Sequence, residues 1–386
     1  MINLIKSLLK NLIRIFYLPF IFYKICSVFF SKDVNDGYIV ISPSLTLSGA
    51  PLLSEKIYEN ISRNKPTYFL SIFGGKGISK NKKMINMNGI NFDMIYILLS
   101  KILTKKGYKN YILNSIVSSK YVRYFKNKNT KCISLIHEMS YAISVLKIFN
   151  KIPEIYNYSD SLIFSCKESF NTFKKYTNKH VLDPRKIVFM KQGLYEESFI
   201  VNLKNKDMIR KNNRSYLNIN SKELVILGVG NDLERKGFKY FLELSMFCPE
   251  YKFIWIGNNP EFLKNKRKNI TIIPKAKKES IYKYFYISDY FFLSSVEDPF
   301  PTVLLEAMVS GLPLISIKGS GGADELINEN IGFICDRARI LDAKNYIRNI
   351  NQKNLNKISN YNRDFVIKNF NFDNYVDRLI SLFQRN

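Results

Sequence analysis

Two neighbouring cations after a glycine-ended strand are the first residues in the sequence whose types could do chemistry. The segment from Gly230 to Gly237 reads GNDLERKG and places Arg235 next to Lys236. It lies between a predicted strand and a predicted helix, and the first N–H groups of a helix have no partners within that helix. Cations beside such N–H groups can bind a phosphate group. The alternative interpretation is a solvated turn built on Lys236 and Gly237.

Three acidic residues form a second candidate group. Glu297 and Asp298 follow a predicted strand, and Glu306 lies in a helix whose start is marked by Pro301. Glu306 has apolar neighbours, and burying a carboxylate without a hydrogen-bond partner is costly. A ribose diol is a suitable partner because it offers two hydroxyl donors to the two carboxylate oxygens. The alternative is an acid that the helix dipole favours near the N-terminus of the helix.

A cluster of glycines follows the next predicted strand. Residues 318–325 read KGSGGADE, and glycine allows the backbone to approach a ligand closely. A glycine cluster by itself is weak evidence for a binding site. Its position strengthens the interpretation, because it is the third loop in this group that follows a strand of the same predicted sheet.

These three loops depend on strands and helices that alternate along the chain. In the first half we predict strands at 38–42, 67–73, 132–136, 161–165 and 186–190, with a helix at 52–61. In the second half we predict strands at 223–230, 252–257, 269–273, 290–295 and 313–317, with helices at 236–247, 302–311 and 372–384. Such alternation indicates α/β structure with parallel sheets covered on both faces. Because the apolar rhythm is lost over 194–222, we predict two Rossmann-like halves facing a central cleft, with ligands at the carboxyl ends of the strands.

The composition is that of a globular protein with a large excess of basic residues. Of the 386 residues, 46% are hydrophobic and 24% are charged, which excludes a disordered tail, a collagen and a small disulfide scaffold. Lys and Arg number 59 against 32 Asp and Glu, so the formal net charge is +27. Such a charge attracts phosphates, nucleic acids or anionic lipid surfaces. A compositional bias toward Lys is the alternative explanation.

The cysteines and histidines do not suggest a metal site or a disulfide framework. The five cysteines are far apart, and no pair has the spacing of a zinc site or a redox motif. His137 and His180 are the two histidines of the sequence. Widely spaced thiols fit the reducing conditions of the cytosol.

The first 31 residues combine apolar and basic side chains at helical spacing. Ile2, Ile5 and Leu9 recur on one side, whereas Lys6 and Lys10 lie on the other. The longest uncharged stretch is shorter than the ~20 residues that a spanning helix needs, and no small-residue cleavage site follows it. We therefore predict an amphipathic helix in the membrane interface, with basic residues facing anionic headgroups. A spanning or hairpin anchor and a core helix of the first domain are the alternatives.

Together, the candidate segments resemble the retaining glycosyltransferases of family 4, which have the two-domain GT-B fold. The segment Gly230 to Gly237 is similar to that family's G-R-L-x-x-x-K-G segment, EDPFPTVLLEAM to its E-x7-E segment, and GSGGADELI to its G-G-x-x-E loop. In the first half, the segments at 48–51, 136–138 and 191–193 resemble its Gly-rich loop, its strand-end His and its N-G-V approach to the linker. The resemblance extends from about residue 40 to the C-terminus and does not include the N-terminal helix.

Two positions depart from the family pattern. Asn231 stands where the family has an arginine, so diphosphate binding would depend on Lys236 with help from Arg235. Asp298 stands at the first glutamate of E-x7-E, eight positions before Glu306, whereas Glu297 is one residue out of register. The shorter side chain of aspartate affects the expected contact with the donor sugar.

The resemblance implies transfer of a sugar from a nucleotide-sugar donor with retention of the anomeric configuration. It assigns the ribose to Glu306, the sugar hydroxyls to Asp298, and the diphosphate to Lys236 and Arg235. His137 would contact the transferring sugar, although a satisfied core histidine is the alternative, and His180 is interpreted as a surface residue. The resemblance implies no divalent metal and no cofactor, and the sequence has no Asp-x-Asp segment. The expected catalytic residues are Asp298, His137 and Lys236, and the expected donor-binding residues are Glu306, Arg235, Asn231, Gly49, Thr302, Val303, Gly322 and Glu325.

The predicted organisation has five parts. An amphipathic membrane helix occupies 1–32, an N-terminal Rossmann-like acceptor domain 37–193, and a linker 194–222. A C-terminal Rossmann-like domain that binds the nucleotide-sugar occupies 223–371, and a last helix 372–386.

The expected partners are a nucleotide-sugar, a glycan or lipid-linked acceptor of bacterial envelope polysaccharide synthesis, and an anionic membrane surface that binds residues 1–31. The expected location is the cytoplasm, peripheral on the inner face of the cell membrane. One alternative is a non-enzymatic basic protein that binds nucleic acid or anionic glycan, but no recognition helix, zinc finger or aromatic RNA-binding segment is present in the sequence. The other is a sugar-nucleotide epimerase or an inverting transferase, which fold alone does not separate from a retaining enzyme.

Overall fold

The chain divides into two compact units. The computed structural model describes residues 17–78, 83–90, 92–177, 181–231, 233–257, 268–274, 276–277 and 280–384. The first unit comprises Met1–Ser165, Ser169–Met190 and Val376–Asn386, and the second comprises Cys166–Glu168 and Lys191–Tyr375. Each unit is described separately below.

The first unit is built on a sheet of seven strands in the order β3-β2-β1-β4-β5-β6-β7, and all its neighbouring pairs are parallel. Its strands are β1 (Gly37–Ser42), β2 (Thr67–Ser71), β3 (Met84–Asn86), β4 (Tyr108–Asn114), β5 (Lys131–Ile136), β6 (Ser161–Phe164) and β7 (Ile187–Phe189). The helices before and between them are α1 (17–29), α2 (Gly49–Ser62), α3 (Asp93–Lys105), α4 (Ile116–Ser119), α5 (Val122–Phe125), α6 (Ser140–Leu146), α7 (Ile152–Tyr158) and α8 (Lys167–Lys175). All six residues of β1 are buried, as expected for a central strand of a parallel sheet with both faces covered.

Helix α1 packs one face against the core of the first unit. Ile21, Ile25 and Val28 are at most 3% exposed and belong to the same hydrophobic cluster as Leu99 and Leu103 of α3. Their spacing of three and four residues places them on one side of the helix. The described half of the predicted membrane helix is therefore also a core helix of the first unit. Residues 1–16 of that prediction lie outside the described residues.

The second unit contains a parallel sheet of six strands in the order β10-β9-β8-β11-β12-β13. The strands are β8 (Val225–Val229), β9 (Lys252–Ile256), β10 (Ile270–Ile273), β11 (Tyr290–Leu293), β12 (Leu314–Ile317) and β13 (Gly332–Cys335). The helices that follow β7 are α9 (Glu197–Val201), α10 (Lys206–Tyr216), α11 (Phe238–Phe247), α12 (Tyr282–Ile287), α13 (Thr302–Val309), α14 (Leu341–Asn349), α15 (Gln352–Asn369) and α16 (Phe372–Ser381). The prediction of two parallel α/β units is confirmed.

The stretch 194–222, predicted as a linker, clusters with the second unit and contains α9 and α10. Arg210 of α10 donates to the carbonyl oxygens of Tyr286 and Ser288 at 2.9 and 2.8 Å and pairs with Asp289 at 2.5 Å. Asp289 also accepts from the N–H of Val225 at 2.8 Å. The polar residues of this stretch thus attach α10 to the sheet, which an apolar pattern does not reveal.

The last described residues, 376–384, belong to the first unit. Lys131 of β5 donates to the carbonyl oxygen of Phe383 at 2.8 Å, and the ring of Phe383 lies edge-on to Tyr38 at 5.6 Å between centroids. The last helix, predicted over 372–386, begins at Phe372 as α16 and continues as a 3-10 turn over Leu382–Gln384.

Across the described part of the chain, no helix combines the length and apolarity needed to cross a bilayer.

Candidate functional site

The loop after β8 carries the two predicted phosphate-binding cations. Arg235 and Lys236 lie in a turn, because α11 begins at Phe238 and not at 236 as predicted. Gly237 has a φ of +63°, and a Cβ atom there would come within 1.8 Å of the Ser294 carbonyl oxygen. Only glycine fits such a position. Gly230 leaves room for the Lys236 side chain, since a Cβ on Gly230 would lie 2.6 Å from the Lys236 Cβ.

This turn is attached to the segment that follows β11. The Ser294 hydroxyl donates to the Lys236 carbonyl oxygen at 2.9 Å, and the Val296 N–H donates to the Arg235 carbonyl oxygen at 2.8 Å. The Arg235 guanidinium in turn donates to the Glu297 carbonyl oxygen at 3.0 Å. The loops that follow β8 and β11 therefore form one connected structure.

Lys236 and Asp298 form an ion pair at the centre of the site. The Lys236 ammonium donates to a carboxylate oxygen of Asp298, and the Arg235 guanidinium lies 3.7 Å from the same oxygen. Asp298 is 6% exposed, so its charge is largely shielded from water and depends on these cations. The sequence places the two residues in separate motifs and contains no signal for this pairing.

The glycine loop after β12 packs against Asp298. The Asp298 N–H donates to the Ser320 carbonyl oxygen at 2.6 Å, and the Gly322 N–H donates to the Asp298 carbonyl oxygen at 3.0 Å. A Cβ on Gly322 would come within 2.1 Å of the Pro299 carbonyl oxygen. We predicted that the glycines let this loop approach a ligand closely. At Gly322 the backbone instead approaches the segment of the chain that contains Asp298 and Pro299.

Asp324 stabilises the glycine loop from within. Its carboxylate accepts from the N–H groups of Gly319 and Gly321 at 3.2 and 3.1 Å. Both glycines have positive φ, +78° and +115°. The next residue, Glu325, has an exposed side chain.

Glu306 is buried in α13, one turn after the helix start. It is 8% exposed and lies four residues after Thr302, so the two side chains share a face of the helix. The N–H groups of Thr302 and Val303 stand in the first turn, where helical N–H groups have no partner four residues back.

Tyr195 belongs to this site and was not predicted. Its phenol is buried; burial, followed by the nearby charge of Glu306, raises its pKa, while a hydrogen bond with the Thr302 side chain opposes this. Gln192 donates to the Phe300 carbonyl oxygen at 3.3 Å, so the segment containing Tyr195 packs near the start of α13. The sequence signal that could have indicated Tyr195 was its position, two residues after the segment at 191–193.

His137 and Gly49 belong to the first unit and follow β5 and β1. The His137 Nε2 lies 2.8 Å from Oδ1 of Asn114, and burial lowers the pKa of His137 to about 4. The Glu138 carboxylate accepts from the N–H groups of Ile116 and His137, each at 3.0 Å, and burial raises its pKa. Gly49 is exposed at the start of α2, and a Cβ there would have open space around it.

The structure thus groups most predicted residues at the carboxyl ends of three strands, β8, β11 and β12, of the second unit. This group consists of Asn231, Arg235, Lys236, Asp298, Thr302, Val303, Glu306, Gly322 and Glu325. His180 lies outside the described residues. Within the described residues, no set of three or more His, Cys, Asp and Glu side chains is arranged to hold a metal ion, and all five cysteines are free thiols.

Comparison with protein families finds a match over a region that lies mostly in the second unit. Residues 209–383 match the family described as Glycosyl transferases group 1. An uncharacterized glycosyltransferase of Haemophilus influenzae is 31% identical over 30% of this chain and 36% of its own length. A processive diacylglycerol alpha-glucosyltransferase of Acholeplasma laidlawii is 29% identical over 33% of this chain and 40% of its own. An Escherichia coli UDP-Gal:alpha-D-GlcNAc-diphosphoundecaprenol alpha-1,3-galactosyltransferase is 26% identical over 52% of this chain and 55% of its own.

Solved structures resemble the chain over most of its length. Sucrose-phosphate synthase of Thermosynechococcus elongatus superposes with a TM-score of 0.73 at 15% identity, over 91% of this chain and 98% of that one. An Anabaena protein in complex with UDP and glucose superposes with a TM-score of 0.72 at 13% identity, over 91% of this chain and 100% of that one. The chain therefore has the GT-B fold, and the match to the group 1 glycosyltransferase family covers its residues 209–383. The aligned regions span only about a third to a half of the three relatives' lengths, 36% to 55%.

Proposed function

We propose that this protein is a retaining glycosyltransferase that moves a sugar from a nucleotide-sugar donor to a glycan or lipid-linked acceptor. The observation that carries the proposal is that Lys236, Asp298 and Glu306 follow the carboxyl ends of neighbouring strands of the second sheet. All three lie within residues 209–383, which match the group 1 glycosyltransferase family. Breaking the bond between a sugar and a diphosphate leaves negative charge on the phosphate oxygen. A catalyst for this step needs fixed positive charge at that position.

Lys236 and Arg235 supply that charge in the proposed mechanism. Both cations face Asp298. An incoming diphosphate therefore binds the two cations either together with the Asp298 carboxylate or in its place. The first N–H groups of α13, at Thr302 and Val303, add donors that favour an anion. Because these groups meet the charge of the leaving phosphate, the proposal includes no resident metal and no cofactor.

The two acids have different roles in the proposal. Glu306 accepts the two ribose hydroxyls, and its burial makes such donors favourable. Asp298 contacts hydroxyls of the donor sugar, with its backbone held by the glycine loop. Asn231, Gly322 and Glu325, on the neighbouring loops, complete the proposed donor site. His137 of the first unit contacts a hydroxyl of the transferring sugar.

A lipid-linked acceptor is supported by the relatives and by α1. Two relatives are named for diacylglycerol and for a diphosphoundecaprenol-linked sugar, which fits bacterial envelope polysaccharide synthesis. On α1, the aromatic side chains of Phe20 and Tyr23 are 51% and 67% exposed, and Phe30 just beyond it is 82% exposed. Exposed aromatic rings beside basic residues suit an anionic membrane surface. We therefore propose peripheral binding to the inner face of the cell membrane.

A panel of nucleotide-sugars tests the proposed reaction. The protein is incubated with each donor and with membrane lipid extracts, and products are identified by mass spectrometry and the new anomeric linkage by NMR. Transfer with the donor's own anomeric configuration supports the proposal, and inverted configuration contradicts the retaining mechanism. An epimerase would interconvert nucleotide-sugars without an acceptor. A pure binding protein would bind without consuming any donor.

The Glu306→Gln variant is expected to raise the donor KM and weaken binding of the free nucleoside diphosphate by about tenfold, the effect of one hydrogen bond to a charged group. Its kcat should change little, because the ribose contact is made equally in the ground state and the transition state. Steady-state kinetics and calorimetric titration measure both quantities. Glu297→Gln is the matched control, since Glu297 is an acid of the segment before α13 and is out of register with the E-x7-E pattern. A fall in kcat with unchanged KM in Glu306→Gln would contradict the assigned role.

The double variant Tyr23→Ser/Phe30→Ser is expected to weaken binding to anionic vesicles by at least about tenfold, because each exposed ring contributes roughly 1.5–3 kcal/mol when buried. These exchanges leave the buried side of α1, with Ile21, Ile25 and Val28, intact. Vesicle sedimentation measures the effect. Tyr216→Ser removes an 84% exposed ring from the second unit and serves as the control.

Alkaline carbonate should also release the full-length protein from membranes, as it does for peripheral proteins. Release only by detergent would mean that residues 1–31 insert more deeply than an interfacial helix does.

A further inference from the structure

A buried amide in the first unit connects helix α2 to His137, a residue of the proposed mechanism. Asn114 ends β4 and is completely buried. Its Nδ2 lies 2.6 Å from the Ala50 carbonyl oxygen and 2.8 Å from the Ser54 Oγ, both in α2. Its Oδ1 lies 2.8 Å from Nε2 of His137. One side chain therefore joins the residue after Gly49 to His137.

The orientation of this amide follows from the chemistry of its partners. A backbone carbonyl oxygen can only accept a hydrogen bond, so the atom of Asn114 that faces Ala50 must be the NH2 group. The Ser54 hydroxyl also donates to the Ala50 carbonyl oxygen, at 3.1 Å, and accepts from the same NH2 group. Both N–H bonds of the amide are thus used toward α2, and its oxygen faces His137.

The amide orientation determines the state of the imidazole. An amide oxygen only accepts, so Nε2 of His137 must carry a proton. A neutral imidazole with a proton on Nε2 has a lone pair on Nδ1. The described part of the chain contains no partner for Nδ1, and the His137 side chain is partly exposed. This nitrogen is therefore available to accept a hydrogen bond from a ligand.

We propose that Asn114 is a positioning residue that holds His137 in the Nε2–H tautomer, so that Nδ1 accepts a hydrogen bond from a substrate hydroxyl. The identity of that hydroxyl as a sugar hydroxyl rests on the proposed function. The tautomer of His137 and its dependence on Asn114 are independent of the proposed function. In this arrangement His137 orients a sugar by accepting, and it does not donate a proton through Nδ1.

Selective labelling with ¹⁵N-histidine tests the tautomer directly in the full chain. The sequence contains two histidines, so the spectrum contains two imidazoles, and a His180→Gln variant assigns them. At neutral pH the His137 spectrum should show a protonated Nε2 and an unprotonated Nδ1. A proton on Nδ1 of His137, or a charged ring, would overturn the inference. This test needs no exchange at Asn114.

Two exchanges at Asn114 test its role. Asn114→Leu removes the acceptor, so His137 should populate both tautomers, and kcat should fall about tenfold or more, the value of one hydrogen bond. Asn114→Asp keeps an acceptor oxygen, so it should retain the Nε2–H tautomer and raise the pKa of His137 through the new negative charge. An unchanged tautomer in Asn114→Leu would contradict the proposal.

Asn110→Leu is the matched control on the same strand. Asn110 is also a buried amide of β4, but its NH2 group bonds Asp36 at 2.6 Å. The Asn110→Leu variant should leave the His137 spectrum unchanged, even if the exchange lowers the stability of the fold. If the protein transfers no sugar, the proposed function fails while the spectra still decide the tautomer. If transfer is normal and the tautomer differs, only the present inference fails.

Discussion

Replacing Asp298 by asparagine is expected to lower kcat by about 100-fold. This is the cost of positioning the donor sugar wrongly in an otherwise intact site. The Asp298→Asn exchange preserves the size of the side chain and the backbone bonds to Ser320 and Gly322, so the loop should keep its structure. Binding of a nucleoside diphosphate should be unchanged or tighter, because Lys236 loses the carboxylate that now neutralises it. Steady-state kinetics and calorimetry on the same preparation separate the two effects.

The neighbouring acid provides the control for this result. Glu297→Gln removes the same charge one position earlier and should affect neither kcat nor nucleotide affinity. If Glu297→Gln loses kcat while Asp298→Asn is neutral, the correspondence with the E-x7-E pattern is shifted by one residue.

The Lys236→Ala variant is expected to lose about 1.5–3 kcal/mol of nucleoside diphosphate affinity, the range for hydrogen bonds to charged groups. The loss has two causes. The ammonium that binds phosphate is removed, and Asp298 retains only Arg235, at 3.7 Å, so its negative charge repels the ligand. The double variant Lys236→Ala/Asp298→Asn should therefore recover part of the affinity, which a simple loss of contact would not produce.

Two single variants complete this test. Arg235→Ala should cost less than Lys236→Ala, because the Arg235 guanidinium donates to the Glu297 carbonyl oxygen and lies farther from Asp298. Lys239→Ala removes an exposed lysine from the following helix and should leave binding unchanged. Unchanged calorimetric affinity in Lys236→Ala would place the phosphate site elsewhere in the protein.

The sequence predicted the fold where buried strands are continuous apolar runs. The run at 290–295 contains β11, and that at 38–42 lies within β1. Strand β4 was not predicted, because Lys109 and Asn110 interrupt its apolar pattern. Asn110 is nevertheless buried, since Asp36 accepts its hydrogen bond. Such compensation comes from a distant part of the chain and leaves no local signal.

The sequence predicted those parts of the candidate site that lie within a single local motif. The interval of eight residues between Asp298 and Glu306 was readable from the sequence, although only its last part, from Thr302 on, is helical. The pairing of Lys236 with Asp298 was not, because the two residues are 62 positions apart. The two faces of α1 were likewise ambiguous, since one pattern fits both a membrane helix and a core helix.

The carboxylate of Asp324 limits which backbone groups of the proposed donor site could bind an anion. Backbone N–H groups that converge in a turn can form a concave nest of the kind that binds phosphate in other proteins. Here the nest at Gly319 and Gly321 already contains an anion that is covalently part of the chain. An external phosphate would have to displace Asp324 at the cost of the loop's own structure. In the proposed donor site, binding of a diphosphate therefore depends on the cations Lys236 and Arg235, whereas the glycine loop contributes to the wall of that site.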